Sequence, residues 1–216
     1  MKKILLSFIF LLTLFFSQSI VFAVQTGQIE YTMPVDYSFI NEAELNKDSE
    51  QLFKLYMSIQ DEEQKKELLN KMLSNYSILS KINKDNPLYF VRLGIIFDKL
   101  GKDRYAKSNF CRGSNLVPNY AYAFYAFGNY FFDRSEYKKA LREYLRAYNL
   151  GYSAHYENLY QIGIIYEKFG DYSTAIRYFR NALQYNNNEE LSNKILMLEE
   201  LLEKNSLYNQ KREWEK

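Results

Sequence analysis

The sequence predicts an all-α protein, a solenoid of antiparallel helix pairs with a helical cap at each end. Three observations predict this fold. One pattern recurs along the chain at a nearly constant period, apolar residues inside each repeat follow helical spacing, and glycines stand where the first helix of a repeat must end. Together they predict pairs of amphipathic helices that stack in one direction.

The repeated segments begin at Pro87, Ala121 and Tyr156. Each contains a glycine, an aromatic residue three places on, an alanine, and a large aromatic residue four places after that alanine. A glycine inside a helix costs about 1 kcal/mol relative to alanine, so its recurrence at one phase predicts that the second helix packs too close for a side chain. The repeat-packing residues are Gly94, Phe97, Ala106 and Phe110, then Gly128, Phe131, Ala140 and Tyr144, then Gly163, Tyr166, Ala175 and Phe179.

The turn between the two helices of each repeat can be predicted from the residue that stands there. Gly101 and Gly170 follow the first helices, at the place where the chain needs a left-handed residue that only glycine adopts at little cost. Ser135 holds the equivalent place in the middle repeat. We therefore expect a left-handed residue at all three turns, with the least favourable turn at Ser135.

This pattern resembles the tetratricopeptide repeat, whose period is about 34 residues. The resemblance covers repeats at 87–120, 121–155 and 156–188, and it implies a right-handed solenoid whose first helices line a concave groove for a peptide or helix. By the phase of the repeat, the partner-binding groove comprises Val91, Arg92, Ile95, Tyr122, Tyr125, Asn129, Phe132, Tyr160, Gln161 and Ile164.

Two interpretations of this groove are open. Its aromatic residues suit the recognition of an apolar helix or an extended segment. Alternatively, the same rings pack against the chain's own terminal segments and fill the groove from within. A clamp for a carboxylate tail is disfavoured, because Val91, Tyr125 and Tyr160 stand where the resemblance would require a lysine.

The flanking segments read as caps. Residues 24–40 lack a helical period and form a flexible lead-in, whereas residues 41–86 form a helical pair, a degenerate repeat or cap. Residues 189–216 comprise a capping helix, from Glu189 to about Leu207, and a tail. An apolar stripe on this helix either covers the last repeat or pairs with another chain; it consists of Leu191, Ile195, Leu198 and Leu202.

Residues 1–23 have the pattern of a secretory signal peptide. Lys2 and Lys3 precede an apolar run, and Val21 and Ala23 would occupy the cleavage-site pockets, so that the mature chain begins at Val24. The alternative is an uncleaved anchor in the inner membrane. Either way the folded part is exported, and the Lys, Asn, Ile and Tyr bias favours a bacterial periplasm.

Composition and charge limit the classes of function that the chain can have. The chain has 28 basic and 26 acidic residues, and removal of Lys2 and Lys3 leaves 26 of each, which argues against nucleic-acid binding. One histidine, His155, and one cysteine, Cys111, do not form a metal-ligand set, and we expect no cofactor. Cys111 is interpreted as a small buried thiol or as the site of a disulfide between chains.

The phosphate-binding and nucleophile motifs of common enzymes are missing from the sequence, so we expect a non-enzyme. The favoured hypothesis is a scaffold or adaptor that binds another protein in a bacterial envelope machine. Outer-membrane protein assembly, a secretion or pilus apparatus and a periplasmic flagellar collar are the machines considered. The alternatives are a self-assembling structural subunit and, more remotely, an envelope enzyme with an unrecognised site.

Overall fold

The computed structural model describes residues 36–214, with side chains described as far as Asn205. This part of the chain is all α-helical, in a paired arrangement of the tetratricopeptide type, which confirms the predicted fold class. Its helices are α1 Glu42–Ser58, α2 Glu62–Ile82, α3 Pro87–Lys99, α4 Asp103–Leu116, α5 Ala121–Asp133, α6 Tyr137–Asn149, α7 Tyr156–Lys168, α8 Tyr172–Leu183 and α9 Glu189–Trp214, with a 3-10 turn at Tyr152–Ala154 between α6 and α7.

The chain divides into two compact units, Met1–Ala106 and Lys107–Lys216, and α4 crosses the boundary. The predicted signal peptide and residues 24–35 of the predicted lead-in lie outside the described residues.

In the first unit α1 packs on α2, and α2 packs on α3. Met72, Tyr76 and Leu79 of α2 are fully buried, at positions that share one face of the helix. Asp61 caps the start of α2, because its carboxylate accepts a hydrogen bond from the Gln64 backbone N–H at 2.7 Å. Asn86 caps α3 in the same way, with Pro87 as the first helical residue.

In the second unit α5 packs on α6, α6 on α7, α7 on α8, and α9 on α8. The mid-helix glycines allow these close approaches. A Cβ built on Gly128 would lie 2.5 Å from ring carbons of Tyr144, and one built on Gly163 would lie 2.5 Å from ring carbons of Phe179. Both distances are far below van der Waals contact, which confirms the predicted reason for glycine at these two positions.

The repeat-packing columns form the interior of the repeats. The three alanines are fully buried, and so are the aromatic residues that follow them. Tyr166 differs, because it is only partly buried and stacks on Tyr178 with 5.7 Å between ring centroids. The buried members of these columns are Gly94, Phe97, Ala106, Phe110, Gly128, Phe131, Ala140, Tyr144, Gly163, Ala175 and Phe179.

Backbone torsions at the turns match the expectation. Gly101 and Gly170 have φ of +69° and +78°. Ser135 also has a positive φ, of 58°, and is the non-glycine residue with that torsion in residues 36–214. The predicted left-handed residue is therefore present at all three turns, and the middle turn carries the steric cost of a Cβ.

The last helix is longer than its apolar pattern predicts, because α9 continues to Trp214. Leu191, Ile195 and Leu198 are buried against α8, so the stripe is engaged within the chain. Cys111 is a free thiol that is partly exposed, so the fully buried thiol expected from the sequence is not observed.

Candidate functional site

The first unit contributes three of the predicted groove residues, all on α3. Val91 has no exposed surface, so its side chain belongs to the packing of the unit. Ile95 is partly exposed. The Arg92 guanidinium is bound by α1: its Nε and Nη2 donate hydrogen bonds to the two carboxylate oxygens of Glu50, at 2.8 and 2.6 Å.

Glu50 joins three helices of the first unit. The Tyr76 hydroxyl on α2 donates to the Glu50 carboxylate at 2.6 Å, and the Arg92 guanidinium lies over the Phe53 ring, 4.3 Å from its centroid. Burial, and then the bond to Glu50, raise the pKa of Tyr76 far above its usual range. The Arg92 side chain, at a predicted groove position, is thus bound by α1 of the same chain.

The second unit presents a different surface. Tyr122 and Tyr125 of α5 lie beside Tyr152 of the 3-10 turn, with 5.2 Å between the ring centroids of Tyr125 and Tyr152. On α7, Tyr156 and Tyr160 stack nearly parallel with centroids 5.7 Å apart. All five rings are partly exposed. We call this set, Tyr122, Tyr125, Tyr152, Tyr156 and Tyr160, the tyrosine face.

Two further predicted groove residues of α5, Asn129 and Phe132, contact neighbouring rings. Asn129 Oδ1 accepts a hydrogen bond from the Tyr144 hydroxyl at 2.7 Å. Phe132 lies edge-on to Tyr137, with centroids 5.5 Å apart. Both side chains remain partly exposed. Tyr144 contacts Tyr125 with 5.9 Å between ring centroids, so Asn129 holds a ring that packs against the tyrosine face.

On α7 the other two predicted residues, Gln161 and Ile164, lie one and four places after Tyr160 and are partly exposed. The inner side of the Tyr160 ring packs against the buried Phe179, with 5.8 Å between centroids. This contact fixes the ring while leaving part of it at the surface. A rigid aromatic side chain with one free edge can contact a partner at little entropic cost.

Sequence reasoning did not include Tyr152 or His155 among the groove residues. Gly151, with φ of +98°, turns the chain into the 3-10 turn, and the His155 ring then stacks on Tyr152 at 3.7 Å. The glycine was the available signal, because a glycine directly after a helix favours a left-handed residue and a change of direction.

No protein-family model matches the sequence. Over 108 residues the chain is 32% identical to protein bimA of Emericella nidulans; this stretch is 50% of the chain but 13% of bimA. Its structure is similar to that of Pseudomonas aeruginosa pilF, with 14% identity and a TM-score of 0.58 over 79% of this chain and 75% of that one. A fragment of MamA from Desulfovibrio magneticus RS-1 gives 15% identity and a TM-score of 0.58, over 78% of this chain and 89% of the fragment. The fold is that of a tetratricopeptide-repeat protein.

In a tetratricopeptide-type array the stacked repeats create an extended surface that such proteins use for binding. Residues 122, 125, 129, 132 and 133 share one face of α5, and residues 157, 160, 161, 164 and 168 share one face of α7. Tyr122, Tyr125 and Tyr160 lie on these faces.

The Glu157 carboxylate lies close to the phenols of the tyrosine face. Burial, followed by neighbouring tyrosines and the Glu157 carboxylate, raises the pKa of Tyr152 to about 12. Burial is also the main cause that raises the pKa of Tyr125, with Glu157 again contributing. The phenols of Tyr125 and Tyr152 are therefore protonated at neutral pH, and Glu157 lies within electrostatic reach of both.

Over residues 36–214, no group of three or more His, Cys, Asp or Glu residues is placed to hold a metal ion. In the same range, every helix is too short or too polar to cross a membrane.

Proposed function

We propose that this protein is a non-catalytic scaffold or adaptor that binds another protein through the tyrosine face. One observation supports the proposal: Tyr122, Tyr125 and Tyr160 lie on the helix faces that the repeat phase assigns to the groove, with Tyr152 and Tyr156 beside them, and all five rings pack on neighbouring rings while remaining partly exposed. Rigid aromatic residues are over-represented among the side chains that dominate binding energy at protein interfaces.

The setting we propose is the bacterial envelope, within a machine such as outer-membrane protein assembly, a secretion or pilus apparatus, or a flagellar collar in the periplasm. The support is the signal-peptide pattern of residues 1–23. Cell fractionation with N-terminal sequencing tests the location. We expect a periplasmic chain that begins at Val24, and a cytoplasmic chain that retains Met1 would contradict this part of the proposal.

Photo-crosslinking in the producing cells tests the binding role. A photoreactive phenylalanine at Gln161 lies beside the tyrosine face, and one at the exposed Lys138 of α6 serves as the matched control. We expect one defined protein to be captured from position 161, to be lost on Tyr160→Ala, and to be missing from position 138. Equal capture from both positions, or capture that survives Tyr160→Ala, would contradict the proposal.

A self-assembling subunit is the second candidate, and a specific observation favours it. Met197 and Leu201 of α9 lie four residues apart, so they share one face of the helix, and they are 70% and 40% exposed. Neighbouring exposed apolar side chains on one helix face are typical of an interface. Light scattering over a range of concentrations should then show a mass that rises, and Met197→Lys with Leu201→Lys should abolish the rise. A monomer throughout would eliminate this candidate.

A further inference from the structure

The connection between α6 and α7 departs from the regular repeat. The glycine, alanine and aromatic columns step by 34 residues from the first repeat to the second, and by 35 from the second to the third. The longer step contains residues 150–155, which include the 3-10 turn Tyr152–Ala154. This turn brings Tyr152 to the tyrosine face, where its ring centroid lies 5.2 Å from that of Tyr125.

The residues of the 3-10 turn do little to hold it in place. Tyr152, Ser153 and Ala154 all retain exposed surface, and none of the three is buried. The backbone closes with a long hydrogen bond, from the His155 N–H to the Tyr152 carbonyl at 3.4 Å. A short segment with few buried contacts opens readily. The position of the Tyr152 ring therefore depends on an anchor outside the turn.

Asn158, in the first turn of α7, provides this anchor. Its side chain is fully buried, and its Nδ2 donates hydrogen bonds to the carbonyl oxygens of Tyr144 at 3.3 Å and Tyr152 at 3.4 Å. The first carbonyl belongs to α6 and the second to the 3-10 turn, so one amide joins both to α7. Such bonds are electrostatically stronger in the interior than in water, because the local dielectric constant is low.

The packing of the helix pair does not require asparagine at this position. Asn158 stands five residues before Gly163, and Ala123 stands five residues before Gly128 in the preceding repeat. Ala123 is also fully buried, so this column accommodates alanine. The Asn158 Oδ1 is buried and accepts no hydrogen bond from a described residue, which lowers stability. The two bonds that its Nδ2 donates are therefore what asparagine adds here.

We propose that Asn158 is a positioning residue of the tyrosine face: its buried amide holds the 3-10 turn against α6 and α7, and so keeps the Tyr152 ring beside Tyr125 before a partner binds. This inference rests on the proposed function and identifies a residue that organises the binding surface. Because Asn158 is buried, it acts through Tyr152 and does not itself contact the partner. A contact residue that is fixed in advance raises affinity, since less order has to be created on binding.

The test compares two substitutions of Asn158 with a matched control. Asn158→Ala removes both donated bonds and places in this repeat the residue that the preceding repeat has. Asn158→Leu also removes them but keeps a side chain of similar size, so that a change seen in both variants does not arise from lost volume. Asn193→Ala is the control, since Asn193 is an exposed asparagine of α9. Circular dichroism should show that all three variants are folded.

The first readout is Tyr152 itself, in the full chain without a partner. Burial raises the pKa of this phenol to about 12, so a fluorinated tyrosine at position 152 reports whether the ring is still packed. Followed by fluorine NMR, its titration midpoint should fall towards that of the free amino acid in both Asn158 variants and keep the wild-type value in Asn193→Ala. An unchanged midpoint in both Asn158 variants would overturn the inference.

The second readout is the affinity for the protein captured from position 161. Asn158→Ala should weaken binding about three- to tenfold, and it should have no effect in a Tyr152→Ala background, because Asn158 acts through that ring. No weakening, or equal weakening in both backgrounds, would overturn the inference and leave the proposed function in place. If Tyr152→Ala and Tyr160→Ala both bind as wild type does, the proposed function fails, and the fluorine titration still decides whether Asn158 holds the turn.

Discussion

Replacing Gly163 by alanine tests the packing that holds the tyrosine face in position. The new Cβ would lie 2.5 Å from Cδ1 and Cε1 of Phe179 and 3.1 Å from Cζ. Ordinary contacts between carbon atoms are about 3.5–4.0 Å, so the methyl group overlaps the ring by roughly 1 Å at two atoms. Phe179 is fully buried in the core cluster with Leu159 and Ile195, and it cannot move aside without disturbing them.

The expected change in the free energy of unfolding is the sum of two opposing contributions. Overpacking a well-packed interior typically costs about 1–3 kcal/mol, and contact with two ring carbons places this site in the upper half of that range. Alanine in place of glycine gains about 1 kcal/mol of helix propensity. We therefore expect a net loss of about 1–2 kcal/mol in the free energy of unfolding, or a melting temperature lower by roughly 2–8 °C for a chain of this size.

Urea denaturation followed by circular dichroism measures the change in wild type and in a Phe179→Leu background. The smaller leucine leaves room for the methyl group, so Gly163→Ala should become neutral or stabilising there, by up to about 1 kcal/mol. Gly170→Ala is the control: a Cβ there meets no atom within 4 Å, and its cost comes from the φ of +78°. That cost should be the same in both backgrounds.

The reasoning would be refuted if Gly163→Ala stabilised the wild-type protein, or if its effect did not depend on the residue at position 179. Either result would mean that α7 and α8 are not as close as the structure shows, and that the recurring glycine has another cause.

Three further predictions concern a turn, a partly buried ion pair and a tyrosine. Ser135→Gly should raise the free energy of unfolding by about 0.5–1 kcal/mol, because the residue has a φ of 58°, whereas Ser135→Ala should not; chemical denaturation distinguishes them. Glu50→Gln should lower the free energy of unfolding by about 1–3 kcal/mol, because the substitution removes the charge that the partly buried Arg92 binds bidentately. An unchanged midpoint of chemical denaturation would show that the pair contributes no net stability. Burial and then the bond to Glu42 raise the pKa of Tyr89 to about 12, so between pH 10 and 12 the unfolded chain loses this proton before the folded one. Stability should therefore fall as pH rises through that window, and a Tyr89→Phe variant with the same pH dependence would contradict the assignment.

The architecture was predictable because its determinants are local and recur. Glycine at one helical phase, alanine opposite it and an aromatic residue four places later specify how close two helices come, and the close approaches at Gly128 and Gly163 follow from that pattern. The left-handed turns were predictable for the same reason, since a positive φ restricts the choice of residue.

Whether each predicted groove residue is exposed or engaged within the chain was not predictable, because this depends on contacts between residues far apart in sequence. Arg92 and Glu50 are separated by 42 positions, and nothing in either local pattern indicates that they pair. Tyr152 reaches Tyr125 through a short 3-10 turn that has no period to detect. The phase of the repeat selects a face of each helix, but only the folded chain determines which side chains on that face remain exposed.

The most direct test of the binding role is the affinity of the protein captured from position 161, measured by calorimetry with wild type, Tyr160→Ala and Lys138→Ala, each first shown by circular dichroism to be folded. If the tyrosine face is the binding surface, Tyr160→Ala should weaken binding about 30-fold, which corresponds to the roughly 2 kcal/mol of an interface hot spot, and Lys138→Ala should leave it unchanged. Equal affinities for all three proteins would show that the partner binds elsewhere.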